Sequence, residues 1–278
     1  MKQLSFGLAL STVIGLVVAA HAGPPPPPPP PFAQCPPDAV LVGQVCVDTY
    51  EASVWQVPAA NPSGKSNAQL IKKINQGKAK LADLTAGGAT EISPSSSCSP
   101  VFPSTFPGNG QWTAPLYAVS IAGVHPTACV TWFQADQACR LSGKRLLTNG
   151  EWQSAVAGTA EGSGGDDGTT QCNTASAHDT VDTGSRSACV SSWGAFDMVG
   201  NVVEWVQDWV PASTTCPGWG GFSGDIMCLS GASTTAQGPG ALLRGGDFAD
   251  GGLAGPFAVN GNMPPWDSSS QWGFRCAR

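Results

Sequence analysis

Histidine is nearly absent: three occur in 278 residues, and one, His21, lies in the leading segment. With only His125 and His178 left, an imidazole-built iron or zinc centre lacks its ligands. No Cys-x-x-Cys pair occurs, which removes the usual zinc and dithiol spacings. Charged residues make up 12% and sum to -6, which argues against a nucleic-acid surface. Beyond Ala20 no run is long and apolar enough to span a bilayer. No cysteine stands at a lipoprotein-type cleavage position, the first being Cys35.

What is present begins with Lys2, an apolar run from Leu4 to Ala20 and the small-residue end Ala20-His21-Ala22. This reads as a secretory signal peptide over residues 1–22, so the protein is expected to be exported to a periplasmic or extracellular space. Pro24 to Pro31 can form only extended polyproline II, which makes residues 23–34 a linker. Residues 35–278 then form one domain, with a Lys-containing insert at 58–95. All ten cysteines fall in this part, an even number in an oxidising compartment, and five disulfides follow as the natural expectation. With 35 Gly, 24 Pro and ten Trp, the composition predicts a loop-rich, disulfide-stapled α+β domain.

Along the chain, the apolar runs on either side of Gly43-Gln44 predict a hairpin over residues 39–47. In the insert, Leu70, Ile71 and Ile74 have helical spacing among five lysines, which predicts one short amphipathic helix with a solvated face. Tyr117 to Val124 reads as a buried strand. Thr131 to Leu141 is a helix capped by Thr131 and stopped by Gly143. Thr148 and Glu151 form a capping box that starts a second helix ending at Gly158. Asp166-Asp167 lie in a Gly-rich loop, Leu242 to Phe248 is a strand entering a Gly turn, and Trp272 to Arg278 is a further strand.

The densest stretch is Gly194 to Trp209, with Asp197, Glu204 and Asp208 around the Gly200-Asn201 turn. Buried carboxylates need a metal, a cation or several donors. Hard oxygen ligands of this kind suit calcium. The plainer reading is that Asn201 and Glu204 satisfy backbone groups in a loop-rich fold.

Four motifs occur in order: Trp132 to Cys139; Lys144-Arg145-Leu146-Leu147-Thr148 with Glu151-Trp152; Asp197 to Trp205; and Arg244-Gly245-Gly246 with Gly273-Phe274-Arg275-Cys276. Together they resemble the formylglycine-generating enzyme family, also called sulfatase-modifying factors, over roughly residues 119–278. The resemblance implies an irregular α+β fold related to C-type lectins. It implies a calcium site with side-chain oxygens from Asp197 and Glu204 and carbonyls from Gly200 and Val202. Asn173 and Thr174 match the first part of a second calcium site, whose later ligand has no counterpart in the shorter segment here. A Cys139–Cys276 disulfide is implied as well.

The departure lies in the chemistry. Family members that oxidise a substrate cysteine bind copper through two cysteines beyond the Arg-Gly-Gly turn, and those places here hold Asp250 and Gly255. Carboxylate oxygen is a poor ligand for copper(I), so no copper and no sulfatase conversion are expected. The family's cleft would be lined by Asp247, Phe248, Asp250, Phe257, Asn260, Asn262 and Trp266, with Trp272 beside them. Such a wall suits a small molecule, a glycan or a peptide. The reading that follows is a calcium-stabilised binding domain without an assigned catalytic residue. The alternative is a family enzyme with different oxidative or maturation chemistry, using Asp247 and Asp250 near Trp266.

Overall fold

The computed structural model describes residues 34–92, 98, 102, 104–112, 115–162, 165–236 and 238–278. The expected signal peptide and all but the last residue of the polyproline linker lie outside them. Among the described residues no helix is long and apolar enough to cross a membrane.

The predicted hairpin forms as β1 (Ala39–Val42) and β2 (Val45–Asp48), joined by Gly43 at φ +61°. That left-handed geometry suits glycine and a two-residue turn. It belongs to a four-stranded sheet in the order β1-β2-β12-β6, where β6 is Arg145–Leu146 and β12 is Cys276–Ala277. The last residues of the sequence therefore sit in the middle of this sheet.

A three-stranded sheet places β3 (Ser53–Gln56) between β4 (Thr90–Glu91) and β5 (Leu116–Val119). β5 is shorter than the apolar run predicts. Ser120 turns the chain by donating to the Asp38 carbonyl and accepting from the Tyr50 amide, and Gly123 follows at φ +74°. The insert holds two helices rather than one, α1 (Ala68–Asn75) and α2 (Leu81–Ala86). Leu70, Ile74 and Leu84 bury against Trp55, Val57 and Val119.

Helix α3 (Trp132–Leu141) has the expected cap: Thr131 Oγ1 accepts from the Gln134 amide and Gln134 Oε1 accepts from the Thr131 amide. Helix α4 (Asn149–Ala155) has the Thr148 and Glu151 capping box. Each reciprocal cap satisfies two otherwise orphaned amides. Cys139 of α3 is bonded to Cys276 of β12, as the resemblance implied, and the loop it closes spans 137 residues. In the chain-entropy picture a loop that long stabilises by about 4–5 kcal/mol. The other disulfides are Cys35–Cys46, Cys98–Cys129, Cys172–Cys189 and Cys216–Cys228.

The five-stranded sheet runs β11 (Trp272–Phe274), β7 (Val203–Pro211), β9 (Pro239–Arg244), β10 (Val259–Met263), β8 (Met227–Cys228). The first four residues of β7 are buried on both faces, while from Gln207 onward exposure alternates. Trp205 donates to the Val130 carbonyl and meets Trp272 edge to face at 5.3 Å. β9 ends at Arg244, earlier than the sequence suggests, because Gly245 and Gly246 take φ +96° and +77°. The final strand likewise divides in two at Arg275.

Candidate functional site

The Gly-Asn turn precedes β7 and brings distant residues together. Asp197, Gly200 and Asn201 all have left-handed φ, at 55°, 76° and 58°. A Cβ at Gly200 would overlap the Asn173 carbonyl, so glycine lets the two segments meet. That carbonyl accepts from the Asn201 amide at 2.7 Å. Asn173 Nδ2 also donates to Asn201 Oδ1 and to the Asp179 carbonyl.

Around this turn lie three buried carboxylates, Glu51, Asp197 and Glu204, with the buried guanidinium of Arg275 among them and that of Arg186 acting on Asp197. Arg275 Nη2 is 2.6 Å from Glu204 Oε1, and Nε donates to both Glu204 oxygens at 2.7 and 2.9 Å. Trp152 Nε1 adds a bond to Oε2 at 2.8 Å. Glu51 accepts from Asn201 Nδ2 at 2.5 Å and from the Val202 amide at 3.1 Å. Asp197 Oδ2 accepts from the Gly184 amide at 2.7 Å. Burial and repulsion from Asp197 and Glu204 push Glu51 well above the usual carboxylate range. Burial also raises Asp197 to about 6, against the pull of the Gly184 amide and Arg275.

These residues fit a hard cation in charge. Arg275 and, at Asp197, Arg186 face three carboxylates, and Asn173 Oδ1 is buried with no hydrogen-bond partner among the described residues. Glu204 fits less well as a ligand, because Arg275 and Trp152 already occupy its oxygens. Among the described residues no three His, Cys, Asp or Glu side chains are arranged to hold a metal. A calcium ion here would therefore lean on main-chain carbonyls and on Asn173. The Thr174 carbonyl is engaged by the Gly251 amide at 2.8 Å.

A cleft of about 220 Å³ opens above the five-stranded sheet. Asp247, Asp250 and Asn260 line it together with Val203, Leu243, Met263, Gln271 and Trp272. Four other expected residues lie outside this lining. Phe248 is buried beneath the loop, and Phe257 packs edge-on against Phe222. Asn262 is exposed beyond the point where the β9–β10 register shifts, and Trp266 is 52% exposed against Gly238.

Asp247 Oδ1 accepts from the Ala249 amide at 2.7 Å and from Gln271 Nε2 at 3.2 Å. Asp250 Oδ2 accepts from the Asp247 amide at 3.1 Å. Burial, then repulsion from Asp250, raises Asp247 to about 7, and burial raises Asp250 as well. The loop that carries it is tied to the carboxylate cluster, since the Phe248 amide donates to the Asn201 carbonyl at 3.1 Å.

The residues do not fit copper. All ten cysteines are in disulfides, so no thiolate is available. A Cβ at Gly255 would overlap the Asp225 carboxylate, which accepts from the Phe257 amide at 2.6 Å.

Sequence reasoning missed Glu51, Arg275 as a pairing cation, Asp225 and Gln271. The only sequence signal for Glu51 is an acidic residue between strand-forming runs in Tyr50-Glu51-Ala52-Ser53. Arg275 stands in the Gly273-Phe274-Arg275-Cys276 motif, and nothing local signals Asp225 or Gln271.

The family profile described as "Sulfatase-modifying factor enzyme 1-like domain" matches residues 67–278. The chain is 30% identical over 155 residues to serine/threonine-protein kinase pkn1 of Chlamydia pneumoniae, covering 55% of this chain and 24% of that one. It is 30% identical over 177 residues to formylglycine-generating enzyme of Streptomyces coelicolor, covering 55% and 52%. The chain thus spans about a quarter to a half of these curated relatives. Among solved structures, the Major Tropism Determinant I1 variant aligns at TM-score 0.46 and 17% identity, covering 87% of this chain and 52% of that one. CarF aligns at 0.44 and 16%, covering 84% and 85%.

Proposed function

The chain belongs to the sulfatase-modifying factor family, and from that premise we propose that it is an exported, calcium-stabilised binding domain without formylglycine-generating oxidase activity. The observation that carries this reading is the chemistry beyond the Arg-Gly-Gly turn. Asp250 stands where a thiolate is needed, and the space at Gly255 is taken by Asp225. Copper(I) finds no sulfur there.

The cleft at Asp247 and Asp250 takes the ligand. At about 220 Å³ it is smaller than the roughly 300–1,000 Å³ of drug-sized pockets. A single side chain of a partner or one sugar ring suits it. Asp247, Asp250, Asn260 and Gln271 supply polar contacts, and Trp272 supplies an apolar face.

Calcium, when bound, neutralises buried charge. Asp197 and the carbonyls of Gly200 and Val202 would hold it, with Glu204 shared with Arg275, while Asn173 and Thr174 would belong to a second site. Its role is to stiffen the Gly-Asn turn and, through Asn201 and Phe248, the cleft loop.

A second reading rests on the raised pKa of Asp247 beside Asp250. A carboxyl poised near neutrality is suited to general acid-base chemistry, so a family enzyme with different maturation chemistry is the alternative. One experiment separates the two from formylglycine generation. The purified protein is incubated with copper(I), oxygen and a sulfatase-derived cysteine peptide, and the peptide is weighed by mass spectrometry. An unchanged mass is expected; an aldehyde product overturns the proposal.

A further inference from the structure

We propose that the Lys-rich insert forms a second binding surface, separate from the cleft, for an acidic peptide segment that carries a bulky apolar side chain. Five of the thirteen basic residues of the whole chain lie between residues 58 and 92, against Asp83 and Glu91 in the same stretch. The rest of the chain is acidic, so its field directs an approaching anion to this face.

The local fold explains why the lysines gather outside. Leu70, Ile74, Ala79 and Leu84 fill the core beneath α1 and α2, which leaves Lys72, Lys73, Lys78 and Lys80 exposed. Lys73 is paired with Asp83 at 2.6 Å. Lys78 and Lys80 instead line a groove of about 280 Å³ together with Pro37, Tyr50, Leu81 and Ile121.

The apolar part of the lining is fixed. The Tyr50 ring stacks on Phe196 at 5.3 Å, and its amide is held by Ser120. Leu81 is 42% exposed. Asp38 also borders the groove, but its carboxylate is held by Lys144 at 2.8 Å and by Arg278 at 3.0 Å. Its charge is compensated from below, so the groove presents lysine to an incoming ligand.

This combination selects the partner class. A polyphosphate or sulfated glycan needs cations and gains nothing from Tyr50, Leu81 and Ile121. A peptide with Asp or Glu flanking a large apolar residue uses both. The surface does not depend on the reading of the cleft, because no residue is shared between them.

The test uses the full chain and a fluorescein-labelled peptide with one tryptophan flanked by glutamates, followed by anisotropy. Binding that weakens with added salt is expected, and the double charge reversal Lys78→Glu, Lys80→Glu should raise Kd about tenfold or more. The melting temperature should stay unchanged, since both lysines are exposed. A matching peptide with glycine in place of tryptophan should bind less tightly. Equal affinity of the wild-type and charge-reversed chains overturns the proposal, as does equal affinity for the two peptides.

Discussion

The Asn201 carbonyl accepts the Phe248 amide at 3.1 Å, so the turn that gathers the buried carboxylates also holds the loop that carries Asp247 and Asp250. A change at the charge cluster therefore reaches the cleft through one backbone bond.

Arg275 is the one buried cation against Glu204, and its removal strands that carboxylate. Arg275→Met is expected to destabilise the fold by about 3–5 kcal/mol, the usual cost of breaking a buried pair. Urea unfolding measures it. The double variant Arg275→Met, Glu204→Gln should lose less than the two single losses added together, because the partners are in direct contact.

Calcium is expected to raise the melting temperature of the purified protein, and chelator to lower it. At calcium one hundred times its Kd the stabilisation is about 2.7 kcal/mol. Asp197→Ala should lower stability and abolish the calcium effect. Identical wild-type melting curves with calcium and with chelator would rule out the calcium site.

The pH dependence at the cleft has a definite sign. Asp247 is raised from 3.8 to about 7 in the folded state, so the folded protein holds a proton that the unfolded chain has released. Its contribution to stability is fully present below about pH 4 and is lost as pH rises through about 7. Asp247→Asn should flatten the fall in stability over that window, measured by unfolding at a series of pH values. An unchanged pH profile would show that Asp247 titrates normally.

Gly255 leaves room for the Asp225 carboxylate. Gly255→Ala is expected to cost about 1–3 kcal/mol from overpacking, read by urea unfolding. A neutral effect would mean that Asp225 moves freely and that the space is open to a cysteine.

The parts legible in the sequence were those with local chemistry. The reciprocal caps at Thr131 and Thr148 need partners only three residues away, and both were readable. The hairpin around Gly43 follows from two apolar runs and a turn. Glu51 was not readable, because its partners Asn201 and Val202 lie about 150 residues further on. Tyr117 to Val124 looked like one strand since Ile121 and Ala122 are apolar, yet both border the groove beside the insert. At the cleft, the register shift after Asn260 brings Met263 to the lining while Asn262 stays outside it, a reversal that alternation alone does not show. The Cys139–Cys276 bridge came from family resemblance, not from spacing.

The position of residues 272–278 also sets an order of events during synthesis. β11 lies at the edge of one sheet beside β7, β12 lies between β2 and β6, and Arg278 reaches back to Asp38. Until these residues emerge, Glu204 has no guanidinium and Cys139 has no partner sulfur. Residues 272–278 thus act as a closing clasp, tying two sheets, a helix and the buried carboxylates together in one short segment.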